Sequence, residues 1–564
     1  MRNVNGCKYQ REINNQMFYL DCHSPTTNAN YKKLMKHNLT QYPYPSRRRV
    51  VLGKHHAVAT SQSLATLAGM EMFWAGGNAV DAAIASAIAL TVVEPTSNGI
   101  GGDAFALVWD GKLHGLNGSG KSPQAMNLEF FTELESVPEL GWLAVTVPGA
   151  VSAWQTLWQR WGKLPFEQLF APAIRYAQEG FAVSPVTAAA WKQAENVYLP
   201  LNEPEFIPFK QVFFPQGRAP NPGEIWASPT HALTLKEIAD SAGESFYRGK
   251  LAEAIAKFSI ETGGLLSAED LANHEPLWVE PIATSYRQYR IWEIPPNTQG
   301  IAALMALNIL EGFDITSVPR ESASSYHQQI ESMKLAFADV YRHVGDPKFM
   351  EVSFQQLLDK AYATKRRQSI QHQALPLAEP GLASGGTVYL ATADEELMVS
   401  FIQSNYHGFG CGILVPDTGI ALHNRGVGFT LETGHPNQVA PAKRPFHTII
   451  PGFITEDERP LGPFGVMGGS MQPQGHLQVL LNLIDYGMNP QAALDAPRWR
   501  FVSDNQVLVE SGVSPMIVGE LRDRGHNIQI APDTMFGKGQ IILSQAGGFV
   551  AASEPRADGM ALAQ

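Results

Sequence analysis

Cysteine is scarce in this chain of 564 residues: Cys7, Cys22 and Cys411 are all there is, at spacings that suggest neither a zinc site nor a disulfide framework. Charge is also sparse, at 17% of residues and a formal net charge of −11, which excludes a disordered or coiled-coil chain. The body of the chain has no long basic run, so nucleic acid is not an expected partner. Nowhere do about 18 apolar residues follow one another, which excludes a membrane-spanning helix. Residues 1–49 are basic, ending in Arg47, Arg48 and Arg49, and lack the apolar stretch of about 7–15 residues of a secretory signal. They are expected to be a disordered leader or an over-extended start, and the protein to be cytoplasmic. No cofactor or metal site is visible, and scattered histidines such as His55, His56 and His435 read as surface or loop residues.

Hydrophobic residues make up 44% of the chain, ample for a large core, and order is expected to begin near Val50. From Ala57 to Ala89 the pattern is small and helical, with Leu64, Leu67, Ala68 and Met72, a stop at Gly76-Gly77-Asn78, and a second, alanine-rich helix from Ala79 to about Val92. A glycine-rich loop, Glu94 to Asp103, leads into two strands, Ala104–Trp109 and Leu113–Leu116, turned by Asp110-Gly111. Residues 150–350 are mostly helical by period. The stretch Ser369–Gly386 loses apolar periodicity and reads as a linker. After it the texture is that of strands, at Thr387–Ala393, Leu397–Ile402, Gly412–Val415, Ile420–His423 and Phe446–Ile454, before a helix over about Gly475–Tyr486. There is no regular βαβ alternation and no internal repeat, so the expected class is α+β in layers.

Gly115-Leu116-Asn117-Gly118-Ser119-Gly120-Lys121-Ser122 fits the phosphate-loop pattern letter for letter. That pattern needs a buried parallel strand before it and a helix straight after it. Here a hairpin precedes it and Pro123 follows, so a glycine-rich turn is the expected reading.

The chemistry suggested by the linker is different. A threonine at a chain terminus can use its own α-amine as base, since that amine titrates near 7.7–8.0. An internal threonine reaches that state only if the bond before it breaks. Ser384-Gly385-Gly386-Thr387-Val388-Tyr389 supplies what this needs: a flexible approach, small residues at the cut between Gly386 and Thr387, and a strand to hold the threonine. Gly468-Gly469-Ser470 offers consecutive unhindered N–H groups for an oxyanion. Gln403, Ser404 and Asn405 end a strand with three polar side chains that could orient the hydroxyl or a substrate carbonyl.

Together these stretches resemble the γ-glutamyltransferase family of autoprocessed N-terminal-nucleophile hydrolases. The likeness runs from about Ala57 to the last residues, through Gly76-Gly77-Asn78-Ala79-Val80-Asp81, Glu94-Pro95, Gly99-Ile100-Gly101-Gly102 and Val147-Pro148-Gly149. It continues through Thr387, Lys443-Arg444-Pro445, Gly468-Gly469-Ser470, Asp485-Tyr486-Gly487-Met488-Asn489 and Asp495-Ala496-Pro497-Arg498. The resemblance implies a four-layer αββα sandwich, a large fragment 50–386 and a small catalytic fragment 387–564 from one precursor. It also implies an acyl-enzyme on Thr387, an oxyanion hole at Gly468 and Gly469, and Asn405 holding substrate or nucleophile.

Three departures stand out. The family's carboxylate-gripping arginine is replaced in Ser119-Gly120-Lys121-Ser122-Pro123, its amine-holding acid is missing from Asn424-Arg425-Gly426-Val427-Gly428, and its paired serines are His447 and Thr448. An anionic head group needs offsetting charge. Arg425 and Lys121 are therefore expected to serve a carboxylate placed differently, as in a small, oxamate-like acid amide. The resemblance points to the branch that includes oxamate amidohydrolases and cephalosporin-acylase-like proteins. The competing readings are a true γ-glutamyltransferase acting on glutathione, and an unprocessed binding protein.

Overall fold

The computed structural model describes residues 41–45, 48–376 and 386–564, so residues 1–40, 46 and 47 of the proposed leader and residues 377–385 of the linker lie outside the described residues. Two seven-stranded antiparallel sheets form the centre. One runs Met560–Ala563, Ala57–Thr60, Gly386–Ala393, Met398–Tyr406, Asp103–Trp109, Leu113–Asn117, Leu277–Val279. The other runs Val51–Gly53, Gly548–Ser553, Lys538–Gln545, Arg459–Met467, Gly452–Glu456, Tyr289–Glu293, Ile282–Tyr286.

Alternation along the strands explains why they stack. In Gly386–Ala393, Val388 and Leu390 join the core under the helices, while Tyr389, Ala391 and Ala393 join the core between the sheets. Both faces are apolar because both are covered. Ala79–Val93 is buried on every side, and its alanines let it lie close to the first sheet. Gly300–Leu310 is equally buried, and with Met471–Ile484 it packs on the second sheet. The result is the expected αββα order of layers.

Local chemistry sets the joints. Gly76 has φ +88°, and Asn78 caps the next helix by accepting from Val80 N and Asp81 N at 3.0 Å, while Asp81 returns the bond to Asn78 N. The Asp110-Gly111 hairpin is present, with Phe105 facing Asn117 across antiparallel strands. This excludes the phosphate-loop fold at Gly115–Ser122, since the strand before it is antiparallel and coil follows it.

Several expectations need correcting. Ala57–Thr60 is a strand rather than part of a helix, because small residues also fit a strand paired on both sides. Gly412–Val415 and Ile420–His423 are irregular, joined by the single bridge Leu414 to Ala421. Residues 446–451 are likewise irregular, and the strand there is Gly452–Glu456. The last-named helix begins earlier, at Met471.

Candidate functional site

Thr387 lies on the inter-sheet face of its strand, two residues before Tyr389, and is fully buried. Its neighbour strand bulges there: Gly386 pairs with Tyr406 and Val388 with Gln403, so Thr387 faces both Ser404 and Asn405. Tyr406, at the bulge, has φ +75°, a conformation an aromatic residue rarely adopts.

The bulge aims Ser404 at the bond between Gly386 and Thr387. Ser404 Oγ donates to the Gly386 carbonyl at 2.6 Å and accepts from Tyr406 N at 2.8 Å. With its proton so used, it accepts from Thr387 Oγ1–H at 3.1 Å. One hydroxyl thus polarises the carbonyl and orients the neighbouring hydroxyl. Gly386 lies 3.1 Å from Gly408 N and Thr96 O by the position a Cβ would take, so a larger residue would crowd the turn.

Gly468 and Gly469 have φ +135° and +60°, which favours glycine strongly. Their carbonyls accept from Met471 N and Gln472 N at 3.1 Å, and Gln299 Nε2 donates to the Gly469 carbonyl at 2.8 Å and the Thr448 carbonyl at 2.6 Å. Gly386 and Gly468 border the same cavity of about 550 Å³. One wall of it is apolar, from Pro185, Val186, Ala189 and Val197 of the helix Pro185–Tyr198.

Beside the nucleophile lies a buried charged cluster. Arg425 is fully buried, stacks with Cζ 4.0 Å from the Tyr406 ring centre, and donates through Nη1 to Thr448 Oγ1 at 2.9 Å. Its Nε and Nη2 have no hydrogen-bond partner among the described residues. Among those residues no carboxylate stands in ion-pair contact with it, and burial pushes its pKa down to about 10. Asn405 Oδ1, Tyr406 OH and His423 Nδ1 are also buried and unpartnered. So many idle polar atoms in one neighbourhood are unusual, since each costs about 1–3 kcal/mol.

Asp103 closes the cluster. Its Oδ1 accepts from Gly149 N at 3.1 Å, and its Oδ2 lies 3.0 Å from His447 Nε2 and 3.5 Å from His423 Nδ1. Burial raises its pKa to about 7, against the opposing pull of Arg425. Burial also lowers His423 to about 3 and His447 well below the usual histidine range.

The anticipated residues thus separate. Thr387, Ser404, Asn405, Arg425, His447 and Thr448 are brought together; Gly468 borders the cavity beside Gly386, and Gly469 is tied to Thr448 through Gln299. Gln403 is a correction. It lies on the opposite face of its strand, where Oε1 accepts from Trp154 Nε1 at 2.9 Å and Nε2 donates to Asn98 Oδ1 at 2.7 Å. It is a core residue, as period-two alternation from Ser404 would have shown. Lys121 is the second correction, bordering a different cavity with Ser122, Asp270, His274 and Arg444. Asp103, Tyr406, His423 and Gln299 went unassigned. Asp103 alone had a usable signal, a carboxylate opening an otherwise apolar strand.

Comparison with known proteins identifies the family. The family model described as gamma-glutamyltranspeptidase matches residues 65–564. The chain is 34% identical to the glutathione hydrolase-like YwrD proenzyme of Bacillus subtilis, over 91% of this chain and 99% of that protein. It is 32% identical to the oxamate amidohydrolase proenzyme of Klebsiella pneumoniae, over 90% and 98%. A cephalosporin acylase structure from Bacillus halodurans superposes with a TM-score of 0.89 at 54% identity, covering 93% of this chain and 98% of that one. The chain belongs to the gamma-glutamyltranspeptidase family and is an enzyme of the N-terminal-nucleophile hydrolase class.

Proposed function

We propose that the protein is an amidohydrolase or acyltransferase that matures by breaking its own bond between Gly386 and Thr387, and that its acyl donors are small amides bearing a carboxylate, oxamate-like, rather than glutathione. The observation that carries the first half is the Ser404 hydroxyl, bonded at once to the Gly386 carbonyl and to Thr387 Oγ1. The proenzyme names of the B. subtilis and K. pneumoniae relatives support it.

In maturation, Thr387 Oγ1 attacks the Gly386 carbonyl carbon and the peptide C–N bond breaks. The acyl group passes to oxygen as an ester, and the nitrogen becomes the free amine of Thr387. Water then hydrolyses the ester, leaving Gly386 as a carboxylate on the fragment ending there. In turnover that amine takes the hydroxyl proton. Oγ1 adds to the donor carbonyl, with the N–H groups of Gly468 and Gly469 receiving the oxyanion. The donor's amine leaves with the proton, into the cavity walled by the Pro185–Tyr198 helix. Water or an acceptor amine then takes the acyl group and restores Thr387.

Support for a carboxylate on the acyl half comes from Arg425, whose Nη1 is taken by Thr448 Oγ1 while its Nε and Nη2 are left without partners. Asn405 Oδ1 is a further idle acceptor for donor N–H groups. The fragments 50–386 and 387–564 are expected to stay joined. The Gly386–Ala393 strand pairs with Ala57–Thr60 of the large fragment, and Met398–Tyr406 pairs with Asp103–Trp109.

Intact mass tests the proposal. The wild-type protein is expected as two fragments with Thr387 at a new N-terminus, and Thr387→Ala as one unbroken chain without turnover. An uncut, active wild-type chain would refute it.

A further inference from the structure

The hydrogen bonds around Asp103 leave one proton to be assigned. His447 Nδ1 accepts from Ile449 N at 3.4 Å, so its Nε2 carries hydrogen and donates to Asp103 Oδ2 at 3.0 Å. His423 Nε2 lies 2.9 Å from the Thr146 carbonyl, which can only accept, so Nε2 carries hydrogen there too. In neutral His423, Nδ1 is then a lone pair, and it faces Asp103 Oδ2 at 3.5 Å with no other partner. Two lone pairs facing each other in a fully buried site repel, unless a proton sits between them.

We propose that Asp103 is a positioning residue that holds this proton toward His423, so that Arg425 keeps an uncompensated positive charge for the acyl carboxylate; when the proton leaves, Asp103 becomes an internal anion that competes for Arg425. This inference rests on the reading of Arg425 as the carboxylate's partner. The geometry fits the role. Arg425 feels the field of Asp103 but makes no contact with it, so the two do not lock together. The Asp103 pKa of about 7, raised by burial, puts the switch in a working pH range.

The other groups around Asp103 do not supply the same switch. Arg425 and His423 face it from the 423–425 segment, and His447 and Arg444 from 444–447. Tyr247 lies within electrostatic range, with its pKa driven far above neutrality by burial, and His274, beyond His423, is pushed down to about 3. Of this set only Asp103 is placed to change charge near neutrality.

By linkage, ionising Asp103 weakens anion binding by the factor by which the bound anion raises the Asp103 pKa. For like charges this near, that is about one unit, or about tenfold. The experiment measures KM and kcat from about pH 6 to 8.5 on the matured enzyme, with an anionic donor and its neutral isostere bearing a carboxamide. The anionic donor's KM is expected to rise about tenfold across the range and then level off, while the neutral donor's stays flat. In Asp103→Asn the anionic KM is expected to stay at its low-pH value throughout. In His423→Asn the new amide N–H stands where Nδ1 stood and stabilises the Asp103 carboxylate, so the rise moves to lower pH.

A flat anionic KM in the wild type, despite a clear preference for the anionic donor, overturns the inference and leaves the Arg425 reading intact. A wild-type rise that persists unchanged in Asp103→Asn also overturns it. Should Asp103→Asn fail to mature, an unmoved midpoint in His423→Asn overturns it instead. If the wild type shows no preference for the anionic donor at any pH, the Arg425 reading itself fails, and the inference with it.

Discussion

The nucleophile end and the charged cluster beside it are built on opposite principles. Around Thr387 the working groups are uncharged: two hydroxyls, a peptide carbonyl and glycine N–H donors. Around Arg425 nearly every group is ionisable and fully buried. A hydroxyl relay costs little to bury because each atom finds a partner, and Ser404 alone makes three bonds. A buried guanidinium with two idle donor positions is costly by itself, and that cost is recovered when an anion binds. The first arrangement suits chemistry common to many amides, and the second suits choice among them.

That contrast can be broken most sharply at Thr387. Thr387→Ala should abolish both maturation and turnover, seen as one band on a denaturing gel and no acyl release. Next in size is Arg425→Ala, which should raise KM for a carboxylate-bearing donor by about 10²–10³-fold, since a buried charge pair is worth about 2–5 kcal/mol. KM for the neutral isostere should change little. An equal loss on both donors would mean that Arg425 merely supports the fold. Ser404→Ala should slow fragment formation by about 10²-fold, the scale of losing one donor to a developing oxyanion. The half-time of cleavage on a gel after rapid expression would show it.

Gln403→Ala should act oppositely to its neighbour. It leaves Trp154 Nε1 and Asn98 Oδ1 without their partner, lowering stability by about 1–3 kcal/mol in denaturant melts while KM stays put.

The smallest expected effect concerns stability against pH. Asp103 has a folded pKa of about 7, above its unfolded value of 3.8, so the folded state holds the proton more tightly. Its contribution to stability is complete below the unfolded value and is lost as pH climbs to about 7. Asp103→Asn should flatten that part of the melting-temperature curve between about pH 5 and 7.

What could be read in the chain, and what could not, follows the same division. Sequence alone was enough for the glycine pair at Gly468, the alanine-rich helix after Asn78 and the layered α+β class. Each of these depends on neighbours in the chain: glycine conformation, caps, or the period of apolar residues. The face on which Gln403 sits was also implicit, once Ser404 is set toward Thr387, because strands alternate. Only tertiary structure decided that Lys121 borders another cavity while Asp103, His423, Arg425 and His447 share one buried site. Those four come from three separate segments, and their charge states depend on desolvation and on which lone pairs face one another. No local pattern records such long-range electrostatics, because the energy of each group is set by neighbours hundreds of residues away.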